Sequence, residues 1–260
     1  MKVGYGKARI TPPLGVATIL GLEAELIRIL DDLFVRAVCI EAGGQRVIVA
    51  AADLIGLDPA DSDDFVAMIA RATAVPRDNI IVHVIHTHQT ANSHWETSMI
   101  LEPYSLADQY CSRQFRALVA DGYVRAAQAA VASLRACEMY FTGAPAQGIA
   151  SNRRVPVPGQ EGKVLFRESR PNAELRSYPE GPIDPLVRLL LFRLVETGEM
   201  IGISNYNCHP TSAGGDGGAY ATGDYPGVGT AIAEGDVPGL HLLLRDPVGL
   251  HPGVQGHRPA

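Results

Sequence analysis

The sequence has few charged residues and no long hydrophobic run. Charged residues make up 19% of the 260 positions and hydrophobic residues 47%, which excludes the composition of an intrinsically disordered protein. No window reaches the roughly 18 consecutive apolar residues of a transmembrane helix. The first residues lack the apolar stretch of a signal peptide. We therefore expect a folded domain without a membrane span, located in the cytoplasm.

Several sequence patterns of common enzyme and binding classes are also absent. The four cysteines form no C-x-x-C pair, which excludes a cysteine zinc knuckle and a thioredoxin-type motif. There is no G-x-S-x-G nucleophile turn, no Walker loop and no dinucleotide-binding G-x-G-x-x-G after a strand. The net charge of −6 argues against a nucleic-acid partner, which usually requires a basic face.

The apolar periodicity predicts strands and helices in alternation. Residues 62–73 carry an apolar helical face, and residues 79–85 form a strand that follows it. Glycine-containing turns at 42–45 and 196–199 predict two hairpins. The remaining predicted elements are strands at 3–10, 35–41, 47–52, 186–195 and 200–206, helices at 105–137 and 228–234, and a long loop at 143–185.

The order of these elements predicts an α/β fold. The strand–helix–strand unit at residues 47–88 favours a parallel pair with a crossover helix, whereas the hairpins require antiparallel pairs. We therefore predict one domain with a mixed sheet and crossover helices. Its boundaries are set at residues 1–240, followed by an irregular tail at 241–260.

Histidines at strand ends are the most informative side chains. His86 and His88 follow the strand at 79–85, and residues two apart in a strand point to the same face. Both imidazoles could therefore bind one zinc ion, or they could be two polar residues of a loop. His83 alternates inside the strand and is interpreted as structural, whereas His94 lies in a polar loop and is a candidate substrate contact.

A third histidine and two carboxylates occupy comparable places. His209 follows the strand at 200–206, and a catalytic zinc ion requires three protein ligands and one open position. Asp53 and Asp224 could bind the metal themselves, or they could accept a hydrogen bond from an imidazole that binds it. For Asp53 the alternative is a turn residue at a strand end. Arg153 lies within the loop at 143–185 and suits an anionic oxygen or a carbonyl; the alternative is a solvated basic turn.

The chain resembles the N-terminal domain of the neutral/alkaline non-lysosomal ceramidases and their smaller bacterial relatives. Single motifs are weak, but their shared order over residues 3–235 is specific. The segments that carry the resemblance are VGYGKARITPP at 3–13, DLFVRA at 32–37, AADL at 51–54, HTH at 86–88, NR at 152–153, GPIDP at 181–185, NCHP at 207–210 and GDYPG at 223–227.

The resemblance implies a zinc-dependent amidase that cleaves N-acyl amides of sphingolipids. It implies that His86 and His209 bind zinc, that His88 is a catalytic histidine beside the metal, and that Arg153 faces the substrate. The family takes its remaining ligands, a Glu and a Tyr, from a later part of the domain that has no counterpart here. Its serine in a Gly-x-x-Ser-Pro segment also has no equivalent, the corresponding place being near residues 251–252.

The C-terminal residues depart from the family after residue 239. Arg-Asp-Pro-Val-Gly at 245–249 stands where relatives continue with a segment like Leu-Gln-Gly-x-x-Gly-Asp, and a one-base shift of the reading frame could produce this difference. We therefore expect a domain without the family's C-terminal part, weak zinc binding and an inactive chain. Residues 254–260 have no apolar periodicity and are expected to be disordered.

The chemistry that the resemblance implies for a complete site is hydrolysis of a small or lipid-like amide by water that zinc activates. His88 would move the proton, and Arg153 would orient the carbonyl. Two alternatives remain open: a metallo-esterase or phosphoesterase, which would favour two metals and more carboxylates, and a metal-binding remnant without catalysis. The sequence specifies no oligomeric state.

Overall fold

An eight-stranded mixed sheet organises the chain, with strands in the order β15-β13-β12-β8-β1-β5-β6-β7. The computed structural model describes residues 1–19, 21–157, 159–167, 175, 177–213, 219–237, 239–245 and 254–256. The strands are β1 (Lys2–Arg9), β2 (Ala17–Thr18), β3 (Gly21–Glu25), β4 (Arg28–Ile29), β5 (Phe34–Ala42), β6 (Gln45–Ala52), β7 (Ile80–Val84), β8 (Arg135–Pro145), β9 (Ala150–Asn152), β10 (Arg154–Pro156), β11 (Val164–Phe166), β12 (Leu186–Leu194), β13 (Met200–Asn205), β14 (Tyr220–Ala221), β15 (Leu240–Arg245) and β16 (Val254–Gly256).

The helices of the described ranges pack beside this sheet or connect its strands. They are α1 (Pro59–Thr73), α2 (Trp95–Ser98), α3 (Ala107–Tyr110), α4 (Arg113–Ala132) and α5 (Asp224–Asp236), with short 3₁₀ turns at Arg77–Asn79 and Met99–Tyr104. Within the described part of the chain, no helix combines the length and the apolar character needed to cross a bilayer.

Two crossover units provide the parallel pairs of the sheet. β6 leads through α1 into β7, and β13 leads through α5 into β15; both strand pairs are parallel. The pairs β5–β6 and β12–β13 are antiparallel hairpins. In the first hairpin, Gly43 and Gly44 have φ values of 59° and 77°, which two-residue hairpin turns commonly require. The predicted single-domain α/β fold with a mixed sheet is therefore confirmed.

Helix α4 packs closely against β1 and β5. A Cβ atom on Gly122 would lie 2.4 Å from Cγ2 of Ile10, so the glycine lets the helix approach the sheet. Gly122 lies inside α4 and does not interrupt it. The predicted start of this helix at Ser105 is wrong, because Ser105 has a φ of 57° and Ser112 caps α4 by accepting from the Phe115 N–H at 3.2 Å.

The sheet curls so that its two ends face each other. One apolar cluster lies between α1, α4 and the strands β5 and β6. A second cluster joins Val38 of β5 and Ala51 of β6 to Phe192 of β12 and Ile201 of β13. β15 also contacts β5 and β6, although four strands separate it from β5 in the sheet order. Strands β5 and β6 are therefore buried on both faces.

Two predicted irregular regions contain strands. β8 extends to Pro145, and β9, β10 and β11 lie within the predicted loop at 143–185. Residues 241–245 of the predicted irregular tail belong to β15, which pairs in parallel with β13, and residues 254–256 pair with β9. Backbone pairing does not require alternation of apolar and polar residues, so the sequence pattern missed these strands. Residues 246–253 and 257–260, including His251 and His257, lie outside the described residues.

Candidate metal and catalytic site

The loop after β7 presents His86 and His88. β7 ends at Val84, so the two histidines lie beyond the strand, and strand alternation does not align them as predicted. His86 instead has a φ of 64°, a left-handed conformation that is uncommon outside glycine. Its Nδ1 atom lies 2.5 Å from the carbonyl oxygen of Ile55. Nδ1–H therefore donates there, and Nε2 keeps the lone pair that could bind a metal.

Residues on both sides of His88 fix this loop. The Thr87 hydroxyl donates to the carbonyl oxygen of Thr222 at 2.8 Å, and the Thr222 N–H donates to the carbonyl oxygen of Gln89 at 2.9 Å. Thr87 is fully buried and Thr222 nearly so. The histidine loop is thus attached to the segment that leads into α5.

His209 approaches from the opposite end of the sheet order, in the loop after β13. Asp224, at the start of α5, is buried and accepts hydrogen bonds from the Ser212 hydroxyl, the Ser212 N–H at 3.2 Å and the Ala213 N–H at 2.9 Å. The Tyr225 hydroxyl donates to the carbonyl oxygen of Cys208 at 2.7 Å. These bonds hold both sides of the His209 loop against α5.

The three imidazoles converge through their Nε2 atoms. The His88 and His209 Nε2 atoms lie 2.8 Å apart, and the His88 and His86 Nε2 atoms lie 3.4 Å apart. One ligand atom from each histidine lies within 4.8 Å of the others. Zn–N bonds of about 2.0–2.1 Å at tetrahedral angles require nitrogens about 3.3 Å apart, so this donor set fits a zinc-sized cation.

Burial keeps these imidazoles neutral. It lowers the pKa of His86, and it lowers the pKa of His88 to about 4, with the neighbouring His86 adding to the effect. Burial, together with the smaller effects of His88, His86 and Arg153, lowers the pKa of His209 to about 3. Only a neutral imidazole offers a lone pair to a metal. The cluster is therefore ready to bind a cation at neutral pH without first releasing protons.

The two candidate aspartates have different surroundings. Asp224 contacts the backbone beside His209, as described above, and its charge acts on His88. Asp53 is buried and accepts from Arg36 at 2.9 and 3.0 Å and from the Phe34 N–H at 2.8 Å. Those contacts tie the ends of β5 and β6 together. Within the described ranges, the ligand-type groups that converge are the three histidines alone.

Arg153 lies in the exposed segment between β9 and β10, and its charge contributes to the low pKa of His209. A buried neighbour fixes this segment. The Arg167 N–H donates to the carbonyl oxygen of Arg153 at 2.8 Å. The Arg167 guanidinium donates to the carbonyl oxygens of Asn152, Leu175, Tyr178, Pro179 and Glu180. No sequence motif marked Arg167 in advance.

His94 forms a second polar unit beside the cluster. Its Nδ1 atom lies 3.3 Å from Oδ1 of Asp58, and 38% of its side chain is exposed. Its ring lies over Gly56, where a Cβ atom would come within 2.9 Å of Cε1. The preceding residue, Ile55, holds His86, so both rings border the Ile55–Gly56 peptide. No sequence motif indicated a role for Asp58.

Two solved structures that share this fold are ceramidases. Neutral ceramidase from Pseudomonas aeruginosa matches with a TM-score of 0.72 and 21% identity, covering 98% of this chain and 39% of that chain. A ceramidase complexed with C2 matches with a TM-score of 0.72 and 22% identity, covering 98% of this chain and 38% of that one. The expected resemblance is thereby confirmed at the level of the fold.

The chain spans about two fifths of the length of these ceramidases. No protein-family model matches the sequence, and no curated protein matches it. At these identities the shared fold is what the comparison establishes. The chemistry of this chain must be argued from its own side chains.

Proposed function

We propose that this chain binds one zinc ion through His86, His88 and His209 and hydrolyses an N-acyl amide. The observation that carries the proposal is the convergence of three neutral Nε2 atoms. Three imidazoles leave a tetrahedral zinc ion one open position, as hydrolytic zinc sites require. Imidazole also binds copper, iron and nickel, so the proposal of zinc rests partly on the ceramidases that share the fold.

A bound zinc ion would supply an activated water with a pKa of about 7 and would polarise a carbonyl oxygen. The residues of this chain would do the rest. Arg153 would donate to the substrate carbonyl or to a carboxylate, because a guanidinium fits planar oxygen groups. Asp224 would hold the His209 loop in place. An amide of lipid type is favoured by the fold shared with ceramidases.

His88 has two candidate roles. The sequence resemblance assigned it to catalysis beside the metal, whereas the 2.8 Å approach of its Nε2 to that of His209 favours a ligand. Metal content distinguishes the two roles. A ligand variant loses the metal, whereas a variant of a proton carrier keeps the metal and loses turnover.

A two-metal phosphoesterase is the weaker alternative. Two-metal sites rely on several carboxylates and hold their ions about 3.5–4 Å apart. In the described part of the chain, the converging ligand-type groups include no carboxylate. A protein that binds the metal but does not catalyse a reaction would use the same ligands. An activity assay distinguishes this alternative from the proposed hydrolase.

The test combines elemental analysis with a substrate panel. The sequence led us to expect weak zinc binding and an inactive chain, but the three converging imidazoles complete a ligand set. We therefore expect about one zinc per chain after purification, and hydrolysis of an N-acyl amide but not of a phosphodiester. His86→Ala, His88→Ala and His209→Ala should each reduce the metal content below a tenth of the wild-type value. His94→Ala is the matched control and should keep the metal. Metal retained in all three ligand variants would contradict the site, and zinc without turnover would identify the remnant.

A further inference from the structure

We propose that the amide cleaved at this site carries a carboxylate beside its scissile bond, as an N-acyl amino acid does, and that Arg153 binds this carboxylate. The inference rests on the proposed hydrolysis and names its substrate class. A C–O bond forms from water, the C–N bond breaks, and the two protons of the water end on the released amine. The products are a fatty acid anion and an amino acid.

Arg153 has an exposed guanidinium that forms no ion pair with any carboxylate of the described ranges. Its Cζ atom lies 6.0 Å from the ring centroid of Phe166. Arg113 and Arg116, by contrast, pair with acids at 2.9 and 2.6 Å. The planar fork of a guanidinium matches the two oxygens of a carboxylate, so this unpaired side chain favours an anionic ligand.

The strand before Arg153 packs against the His209 loop. Ala150 of β9 is fully buried and belongs to an apolar cluster with Tyr206 and Cys208, and Cys208 directly precedes His209. Burial is the main cause of the low pKa of His209, and the charge of Arg153 adds to it. Because a Coulomb interaction weakens with distance and with exposure to solvent, this effect indicates that the guanidinium lies near His209.

A buried arginine holds the backbone of Arg153 in place. Arg167 is 6% exposed, and its N–H donates to the carbonyl oxygen of Arg153 at 2.8 Å. Its guanidinium donates to the carbonyl oxygens of Tyr178 and Pro179 at 2.7 Å each, and to that of Asn152, directly before Arg153, at 3.3 Å. A segment that is fixed in advance loses less conformational entropy on binding. Arg153 is therefore presented to a ligand from a fixed backbone.

Positive charge exceeds negative charge in this part of the site. The three imidazoles are neutral ligands, and no carboxylate of the described residues converges with them, so they offset none of the charge of a bound cation. Arg153 and Arg167 add two positive charges. Two acids act nearby, because the charge of Asp224 acts on His88 and that of Glu180 acts on Arg167. A divalent cation and two arginines outweigh these acids, and the excess attracts an anionic substrate more than a neutral one.

Two substrates that differ only in this charge test the proposal. N-Lauroylglycine ends in a carboxylate, and N-lauroylglycinamide ends in a neutral amide of nearly the same shape. We expect kcat/KM for release of laurate to be roughly 10- to 100-fold higher for the acid, because hydrogen bonds between charged groups are the stronger ones. In Arg153→Gln this preference should fall below about threefold through a loss on the acid. Arg113→Gln removes an equal charge from the start of α4 and should keep the preference.

Binding to the zinc-free protein separates recognition from turnover. With a chelator present the carboxylate has no metal to bind, so calorimetry should show N-lauroylglycine binding at least about tenfold more tightly than N-lauroylglycinamide in the wild type and equally tightly in Arg153→Gln. Equal affinities in the wild type, or a preference retained in Arg153→Gln, would overturn recognition by Arg153 while leaving the hydrolysis of neutral amides intact. A preference in binding without any turnover would support the recognition and overturn only the proposed hydrolysis.

Discussion

The two halves of the sheet differ in how much of their surface is buried, although both contribute to the histidine cluster. In β5 of the first half, Val35, Ala37, Val38 and Cys39 are fully buried between two apolar layers. In β8 of the second half, Met139, Tyr140 and Phe141 are 53%, 49% and 72% exposed. The first half has helices α1 and α4 on one face and the curled second half on the other.

This difference means that the two halves hold their histidines by different forces. His86 and His88 follow a strand whose neighbour is buried on both faces, so close packing fixes their loop. His209 follows β13, and hydrogen bonds attach its loop to Asp224 and Tyr225. We therefore expect truncation of an apolar side chain to have its largest effect on stability in the first half. In the second half, we expect the loss of a polar side chain to have the larger effect on the site.

The largest expected effect on stability comes from Phe65→Ala in α1. Phe65 is fully buried, and its ring centroid lies 5.4 Å from that of Tyr123 and 6.3 Å from that of Trp95. Removing a buried phenyl ring costs about 3–5 kcal/mol of the free energy of unfolding. The matched control, Phe141→Ala in β8, should change it by no more than about 0.5 kcal/mol.

Urea unfolding of both variants measures these costs. A cost for Phe141→Ala as large as that for Phe65→Ala would mean that the exposed face of β8 is covered in solution. The comparison between the halves would then be wrong.

A smaller effect is expected from Asp224→Ala, measured as zinc affinity. The hydrogen bonds of Asp224 reach no metal ligand directly, but they hold the backbone three and four residues after His209. Residues that orient a metal ligand are typically worth about 10- to 100-fold in affinity. We expect a loss in this range from competition with a chelator, whereas Phe141→Ala should leave the affinity unchanged.

Asp224→Asn separates geometry from charge. Asp224 has a φ of 52°, which asparagine tolerates better than alanine, and the amide keeps one acceptor oxygen. We expect this variant to lose less than a third as much affinity as Asp224→Ala. Equal losses in both variants would show that the negative charge, and not the attachment of the loop, determines metal binding.

The sequence predicted the first half better than the second for a physical reason. The helix at 62–73 agrees with the end of α1, because Phe65 and Ile69 are spaced to reach one buried layer. The strand predicted at 200–206 agrees with β13, but residues 241–245 of β15 were predicted as irregular. That strand is held by its parallel pairing with β13, a contact between distant residues that leaves no local periodicity.

The candidate site shows the same division between local and distant signals. The predicted convergence of His86, His88 and His209 agrees with the structure, but the reason for it differed. The φ of His86 and its bond to Ile55 aim the ring, and no pattern within the loop specifies either. Asp58 and Arg167 act through partners 36 and up to 15 residues away, so their contributions required the folded chain.

A further expected effect is on the pH dependence of stability in the metal-free protein. Burial lowers the pKa of His88 to about 4 and that of His209 to about 3 from an ordinary 6.5. Between these values and 6.5, the unfolded chain binds more protons than the folded chain. The free energy of unfolding should therefore decrease as the pH falls from 7 to 5.

His88→Gln and His209→Gln test this prediction in the two halves separately. Each variant removes one imidazole that only the unfolded chain protonates, so the decrease between pH 7 and pH 5 should be smaller than in the wild type. At pH 5 both folded-state imidazoles are still neutral, so the two variants should reduce the slope equally despite the different packing around them. Urea unfolding in the presence of a chelator gives the slopes. An unchanged slope in either variant would mean that its imidazole is solvated in the folded protein, and the convergence of the cluster would then have to be abandoned for that half.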